Sequence, residues 1–233
     1  MFEPTDECRT LGREIVKEVE AIWQPHFLFY HYGKRGGHVA AMRVHLESTW
    51  FASVDLTNFF GSISRTRVAR SLRLIGVDHR RAYEAACDSV VDFQGSKFLP
   101  YGFEQSMCLA TLCIERSALG AKLVELCSTA LIVSMYVDDI LISATSQNAL
   151  QQAFADIEEA TATSNFEINR TKSEPPGRGI SAFNCEVSNG VMEITPERME
   201  QFRIDYRVGS EATKDAIVRY VQVVNPAQVF DLY

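Results

Sequence analysis

Apolar and polar positions alternate with two periods along this chain, and the period changes mark the elements. Leu11, Ile15, Val19 and Ile22 recur at helical spacing, which predicts an amphipathic helix over 10–23. Residues 26–45 are rich in glycine, histidine and aromatics and read as a loop or loose hairpin around Gly33–Gly37. The run Phe51-Ala-Ser-Val-Asp-Leu56 reads as a short strand. Ser64 is placed to cap a helix that runs through Ile75 and stops at Gly76. A further helix is predicted over 78–92.

The longest helical stripe spans 104–127, through Leu109, Leu112, Cys113, Leu119, Leu123 and Leu126. Two β-rich apolar runs follow, Leu131–Met135 and Ile140–Ser143, flanking Tyr136-Val137-Asp138-Asp139. They predict a hairpin with two acids at its tip. Residues 147–164 read as a helix with Leu150, Phe154 and Ile157 inward. A second hairpin is expected over 180–195, turning at Asn189-Gly190. After Pro196 the helical patterns are short, interrupted by Gly209 and Pro226.

Composition narrows the class. Of 233 residues, 46% are hydrophobic and 23% charged, which excludes a disordered chain and suffices for a buried core. No apolar run is long enough to cross a membrane; the best, 131–142, is broken by Asp138 and Asp139. The first residues carry Glu3, Asp6 and Glu7 rather than a secretory signal pattern. Six cysteines without a Cys-x-x-Cys pair argue against zinc and fit a reducing cytoplasm. The net charge of −7 argues against a surface coated in nonspecific DNA affinity. Six arginines nevertheless fall between 65 and 81, as a solvated basic helix face or a local contact surface.

Two acids at a hairpin tip between apolar strands repel each other and are poorly solvated. A divalent cation with hard oxygen ligands, Mg²⁺ or Mn²⁺, relieves both costs. A solvated turn is the other reading of such a pair. Two further features join it: Asp55 at the end of an earlier apolar strand, and the glycine turn Leu99-Pro-Tyr-Gly-Phe-Glu-Gln-Ser106 before a helix.

In this order the motifs resemble those of reverse transcriptases, particularly the compact bacterial retron, group II intron and phage-defence types. Asp55–Ile63 looks like the first acidic motif, Leu99–Ser106 the second, and Tyr136–Asp139 the signature hairpin. Asn169–Ser173 resembles the lysine-bearing motif, Ala182–Cys185 the primer grip, and Arg219–Val221 with Asn225-Pro226 the thumb. The resemblance spans roughly 50–230. It implies an α+β right-hand palm, an antiparallel sheet backed by helices. Residues 1–50 would be abbreviated fingers, 51–195 the palm with finger-side helices at 64–97, and 196–233 a minimal helical thumb.

The resemblance also implies RNA-directed DNA synthesis. A primer 3′ hydroxyl attacks the α-phosphorus of a deoxynucleoside triphosphate, with two metals about 4 Å apart. Asp55 and Asp138 would bridge the metals, Asp139 would support them, and the Leu56 carbonyl is a further ligand. Phe60 would exclude a ribose 2′ hydroxyl, and Gly102 would let the backbone approach the nucleotide. Tyr101 and Gln105 would complete the nucleotide site, Lys172 would serve the leaving pyrophosphate, and Lys34 and Arg35 would contact the triphosphate. The implied partners are an RNA template or structured non-coding RNA, the DNA product, and a protein partner or second copy.

The chain departs from the family pattern where glutamine usually precedes the motif glycine; Tyr101 stands there. Met107 replaces the usual proline after Ser106. Two alternatives stay open, the first of them motivated by Tyr101 and the short 196–233 thumb. One is a template-independent or protein-primed polymerase of the same fold, and the other is a non-catalytic RNA-binding subunit. A nucleotide cyclase is the remaining palm-fold alternative.

Overall fold

The computed structural model describes residues 2–32 and 36–233. Its central element is a four-stranded sheet in the order β4-β5-β1-β6, with β1 at Trp50–Asp55, β4 at Ile132–Tyr136, β5 at Asp139–Ala144 and β6 at Glu174–Gly177. Neighbouring strands pair antiparallel. Strand β1 has sheet neighbours on both sides and is buried from Phe51 to Asp55, which is why its sequence reads as a near-continuous apolar run.

Helices cover this sheet. The first, α1 (Asp6–Glu20), is capped by Thr5 and buries Ile15 and Val19. Helices α3 (Arg65–Leu74) and α4 (His79–Asp88) pack against each other as a hairpin. Ser64 accepts from the Arg67 N–H as the cap of α3, and Gly76 takes φ +98° just beyond the helix. Helices α5 (Ser106–Glu115), α6 (Ala118–Leu126) and α7 (Gln147–Thr163) complete the main core, with Leu150 and Ile157 buried and Phe154 partly so.

A second hydrophobic core lies at the C-terminal side. There β7 (Gly179–Ala182), β8 (Cys185–Ser188) and β9 (Val191–Ile194) form a meander. Against it pack α8 (Pro196–Val208), α9 (Glu211–Val224) and a 3-10 turn over Pro226–Leu232. The Asn189-Gly190 turn stands as expected, and β7 adds a strand to that hairpin.

Three expectations change. The 104–127 helix is two helices. Ser117 caps the second by accepting from the Gly120 N–H, while its own hydroxyl donates to the Ile114 carbonyl. Gly120 sits so close to that carbonyl that a Cβ would lie 2.2 Å from it. The 26–45 loop contains a helix, α2 (Gly37–Arg43), with Val39, Ala41 and Met42 buried; its glycine-rich start hides the pattern. The 78–92 helix stops at Asp88, and a hairpin follows, β2 (Val91–Phe93) and β3 (Ser96–Phe98), turning at Gln94-Gly95 with both φ positive.

Candidate functional site

Strand pairing brings the acids together. Asp55 and Asp139 are direct partners in the β1–β5 register, so their Cβ atoms lie about 5 Å apart. Tyr136 pairs with Asp139 and leaves Val137-Asp138 as a two-residue turn. The Leu56 N–H donates to the Asp138 carbonyl at 3.2 Å, tying that turn to the end of β1.

The segment after α7 is stitched to the same strand end. The Asn169 N–H donates to the Asp55 carbonyl, and the Asp55 N–H donates to Ser173 Oγ. These bonds carry Lys172 to the acids. A cleft of about 350 Å³ results, lined by Asp55, Leu56, Phe60, Tyr101, Asp138 and Lys172 among others.

The carboxylates are electrostatically strained. Burial first, then the charge of Asp55, pushes the Asp138 carboxyl above its ordinary range, and Lys172 opposes the shift. Burial, then the charges of Asp138 and Asp55, pushes Asp139 up to about 7. Asp55 itself is only 6% exposed. Three acids with one nearby lysine form a donor set suited to a hard divalent cation. Among the described residues, no three His, Cys, Asp or Glu side chains are already gathered into a metal cage. The fit is therefore one of donor chemistry.

The turn is also strained in its backbone. Val137 has φ +62°, a region that β-branched residues avoid. His31 holds it: the Val137 N–H donates to His31 Nδ1 at 2.9 Å. The other ring nitrogen, Nε2, lies 2.7 Å from Thr111 Oγ1, whose hydroxyl donates to the Met107 carbonyl. This network requires a neutral imidazole with its proton on Nε2. Burial pushes the His31 pKa down to about 4, which keeps it neutral. A single histidine in a loop gives no sequence signal for this role.

The remaining expected site residues are distributed unevenly. Phe60 opens a 3-10 turn and meets Tyr101 edge-on, with centroids 5.4 Å apart. Gly102 takes φ +87° in the turn before α5 and leaves open space where a Cβ would point. Asp139 is not among the cleft-lining residues. Gln105 does not line the cleft either. It is buried against α1, where a Cβ on Gly12 would lie 2.3 Å from its Oε1. The α1–α5 packing turns it away from the acids. Lys34 and Arg35 lie outside the described residues.

Three solved structures share this fold at low identity. A foamy viral protease-reverse transcriptase in complex with RNA/DNA hybrid aligns over 95% of this chain and 32% of that one, with TM-score 0.54 and 12% identity. Candida albicans telomerase aligns over 97% and 48%, with TM-score 0.56 and 8% identity. The BmCPV RNA-dependent RNA polymerase aligns over 82% and 20%, with TM-score 0.54 and 12% identity. The chain thus spans less than half the length of each. These likenesses establish the polymerase right-hand fold. No curated protein matches the chain. The family model for reverse transcriptase (RNA-dependent DNA polymerase) matches residues 3–175, across both acidic motifs and the lysine segment, and the chain belongs to that family.

Proposed function

We propose that this protein is an RNA-directed DNA polymerase that works by metal-dependent nucleotidyl transfer. The observation that carries the reading is the meeting of Asp55, Asp138, Asp139 and Lys172 at one strand end and turn. Asp55 and Asp138 would hold the cations and Asp139 would support them, with Mg²⁺ or Mn²⁺ matching their oxygen donors. Bound there, the cations would supply activation of the attacking oxygen and neutralisation of the leaving group.

The chain's own residues do the rest. The new bond joins the primer 3′ oxygen to the α-phosphorus, the α–β phosphoanhydride bond breaks, and pyrophosphate leaves. The 3′ hydroxyl proton passes to solvent. Lys172, held on the Asp55-anchored segment, neutralises charge on the departing pyrophosphate or donates a proton to it. Phe60, partly buried at the cleft wall, would stand against a ribose 2′ hydroxyl and favour deoxynucleotides.

In this reading residues 1–50 act as fingers, 51–195 as palm and 196–233 as thumb. The template is RNA, free or as a structured non-coding RNA. Reverse transcriptases and telomerase are among the structural neighbours, which supports a nucleic-acid partner. A protein partner or second copy would complete the grip on the duplex. We place the activity in the bacterial cytoplasm, in defence against phage.

Primer extension with single nucleotides, with and without RNA template, tests the reading. Products complementary to the RNA are expected. Products indifferent to it would favour the template-independent alternative, which Tyr101 in place of glutamine motivates. No product with Mg²⁺ or Mn²⁺ would leave the non-catalytic reading.

A further inference from the structure

The six arginines between 65 and 81 lie outside the lining of the acid cleft, and the structure divides them in two. Three are used by the fold. Arg67 lies over the Phe166 ring, 4.1 Å from its centroid, and donates to the Ser164 carbonyl. Arg80 pairs with Glu84 and Arg81 with Glu18, each at 2.8 Å. The other three, Arg65, Arg70 and Arg73, all stand on α3. Among the described residues, no carboxylate lies within 4.0 Å of any of them.

Helix stability does not account for this arrangement. In ten residues α3 carries four arginines and no acid, within a chain of net charge −7. Arg65 and Arg67 fall in its first turn, where the helix dipole disfavours cations. Arg67, Arg70 and Arg73 follow at i, i+3 spacing, so like charges face each other along the helix. Burial first, and also the charge of Arg70, hold the Arg67 guanidinium below its ordinary range. Val68, Ser71 and Leu72 turn α3 inward, which leaves Arg70 and Arg73 exposed at the centre of the opposite face. Arg65 lies over the ring of Tyr83 on α4, 5.2 Å from its centroid, and Tyr83 is still 50% exposed.

We infer that Arg65, Arg70 and Arg73 form a docking surface for the phosphate backbone of an RNA strand outside the acid cleft, with Tyr83 as a stacking face for an unpaired base. Phosphates supply the counter-charge that no carboxylate of the fold provides, and each contact releases condensed counterions. Arg65 to Arg73 covers about 12 Å of helix axis, enough to meet several phosphates of one strand. An exposed aromatic ring among cations suits an unpaired base. The choice of RNA rests on the proposed polymerase reading, because RNA is the strand such an enzyme must hold before any DNA product exists.

The test is fluorescence anisotropy of a labelled single-stranded RNA of mixed sequence, titrated with the full chain in chelator, without nucleotides, over a series of salt concentrations. The double variant Arg70→Gln/Arg73→Gln is expected to bind at least about 10-fold more weakly than wild type at about 0.1 M salt. Its slope of log affinity against log salt should be shallower by about 1.4, or about 0.7 for each lost phosphate contact. Arg70→Lys/Arg73→Lys should keep the wild-type slope, since a phosphate accepts either cation. Tyr83→Leu should weaken binding at unchanged slope. Arg80→Gln, on the same hairpin but paired with Glu84, should bind as wild type. The glutamine pair should unfold in urea no more easily than wild type, because it removes a repulsion; its lost binding is then not lost folding.

Wild-type affinity and slope in the glutamine pair overturn the inference. So does an equal loss in Arg80→Gln, which marks a general effect of charge. Tyr83→Leu binding as wild type overturns the stacking role. Displacement of the RNA by poly-glutamate at equal charge, or tighter binding of DNA of the same sequence, overturns the choice of RNA. Primer extension by the same wild-type preparation separates the two claims. The expected binding without extension leaves this surface standing and removes the polymerase reading. Extension with unaltered RNA binding in the glutamine pair removes this surface alone.

Discussion

Among the two-residue β-hairpin turns of the described residues, the β8–β9 turn and the β4–β5 turn are built on opposite terms. The β8–β9 turn uses Asn189 and Gly190, with φ +51° and +79°, residues that accept such angles at little cost. The β4–β5 turn uses Val137 and Asp138, with Val137 at φ +62° and two acids, Asp138 and Asp139, facing a third. The first turn is relaxed and exposed. The second is strained in backbone and charge, and is held by His31 and by the end of β1. Strain persists only where surrounding structure over-determines it. Phe183 also takes positive φ, at +55°, in the β7–β8 turn; what sets the Val137-Asp138 turn apart is that its backbone strain coincides with repelling acids.

The sharpest way to break this contrast is Asp138→Asn. It should lower nucleotidyl transfer by at least about 1,000-fold, because a required donor and charge are lost. In metal-free buffer the same variant should melt no lower than wild type, since it removes a repelling, desolvated carboxylate. Loss of both activity and metal-free stability would contradict the electrostatic account.

Next in size is His31→Ala, which deprives the Val137 N–H of its acceptor. Primer extension is expected to slow about 10-fold or more through kcat, because small misplacements of reacting groups are costly. A change confined to KM for nucleotide would contradict the anchoring role.

Backbone substitutions sharpen the comparison further. Gly190→Val should cost about 1–3 kcal/mol in urea unfolding, because a β-branched residue is forced to positive φ. A Cβ there meets nothing closer than 3.9 Å, so the cost is conformational rather than steric crowding. Val137→Gly should change stability by less than about 1 kcal/mol, since relief of strain offsets lost burial and added chain entropy. It should still slow catalysis, because the acids lose their fixed frame. Equal costs at the two turns would erase the distinction.

The last prediction concerns His45, beneath the same strands. Its ring nitrogens lie 2.7 Å from Ser143 Oγ and 2.8 Å from Ser134 Oγ. Burial pushes its pKa down to about 3, so the folded state holds it neutral. The folded value lies below the unfolded one, near 6.5. Its contribution to stability is therefore full above about pH 6.5 and is lost as pH falls toward 3. Wild type should lose up to about 1.4 kcal/mol per pH unit from this group in that window. Urea unfolding at pH 7 and pH 5 should show a flatter slope in His45→Gln.

The sequence speaks most clearly where structure is local. Ser64 as a cap, Gly76 as a stop and Asn189-Gly190 as a turn each act within four residues of themselves. Asp55, Asp138 and Asp139 could be singled out because acids beside apolar strands are anomalous before any fold is known. What stays hidden depends on partners far along the chain. The break at Ser117 is accompanied by Gly120 packing against a neighbouring helix end. His31 meets the acid turn from a loop a hundred residues away. Gln105 belongs to a recognisable motif, yet α1 packs over it and takes it from the cleft. The His45–serine network is invisible because each of its members, alone, reads as an ordinary polar residue.

The central claim is that strained, mutually repelling carboxylates at the Val137-Asp138 turn exist to hold divalent cations during strand synthesis. Its most direct test is the rate of single-nucleotide addition to a primer on RNA, measured against Mg²⁺ and Mn²⁺ concentration for wild type and Asp55→Asn. The account predicts no addition in excess chelator, a saturable rise with metal for wild type, and a flat baseline for the variant. Addition that proceeds equally in chelator, or that survives loss of the Asp55 charge, would contradict it.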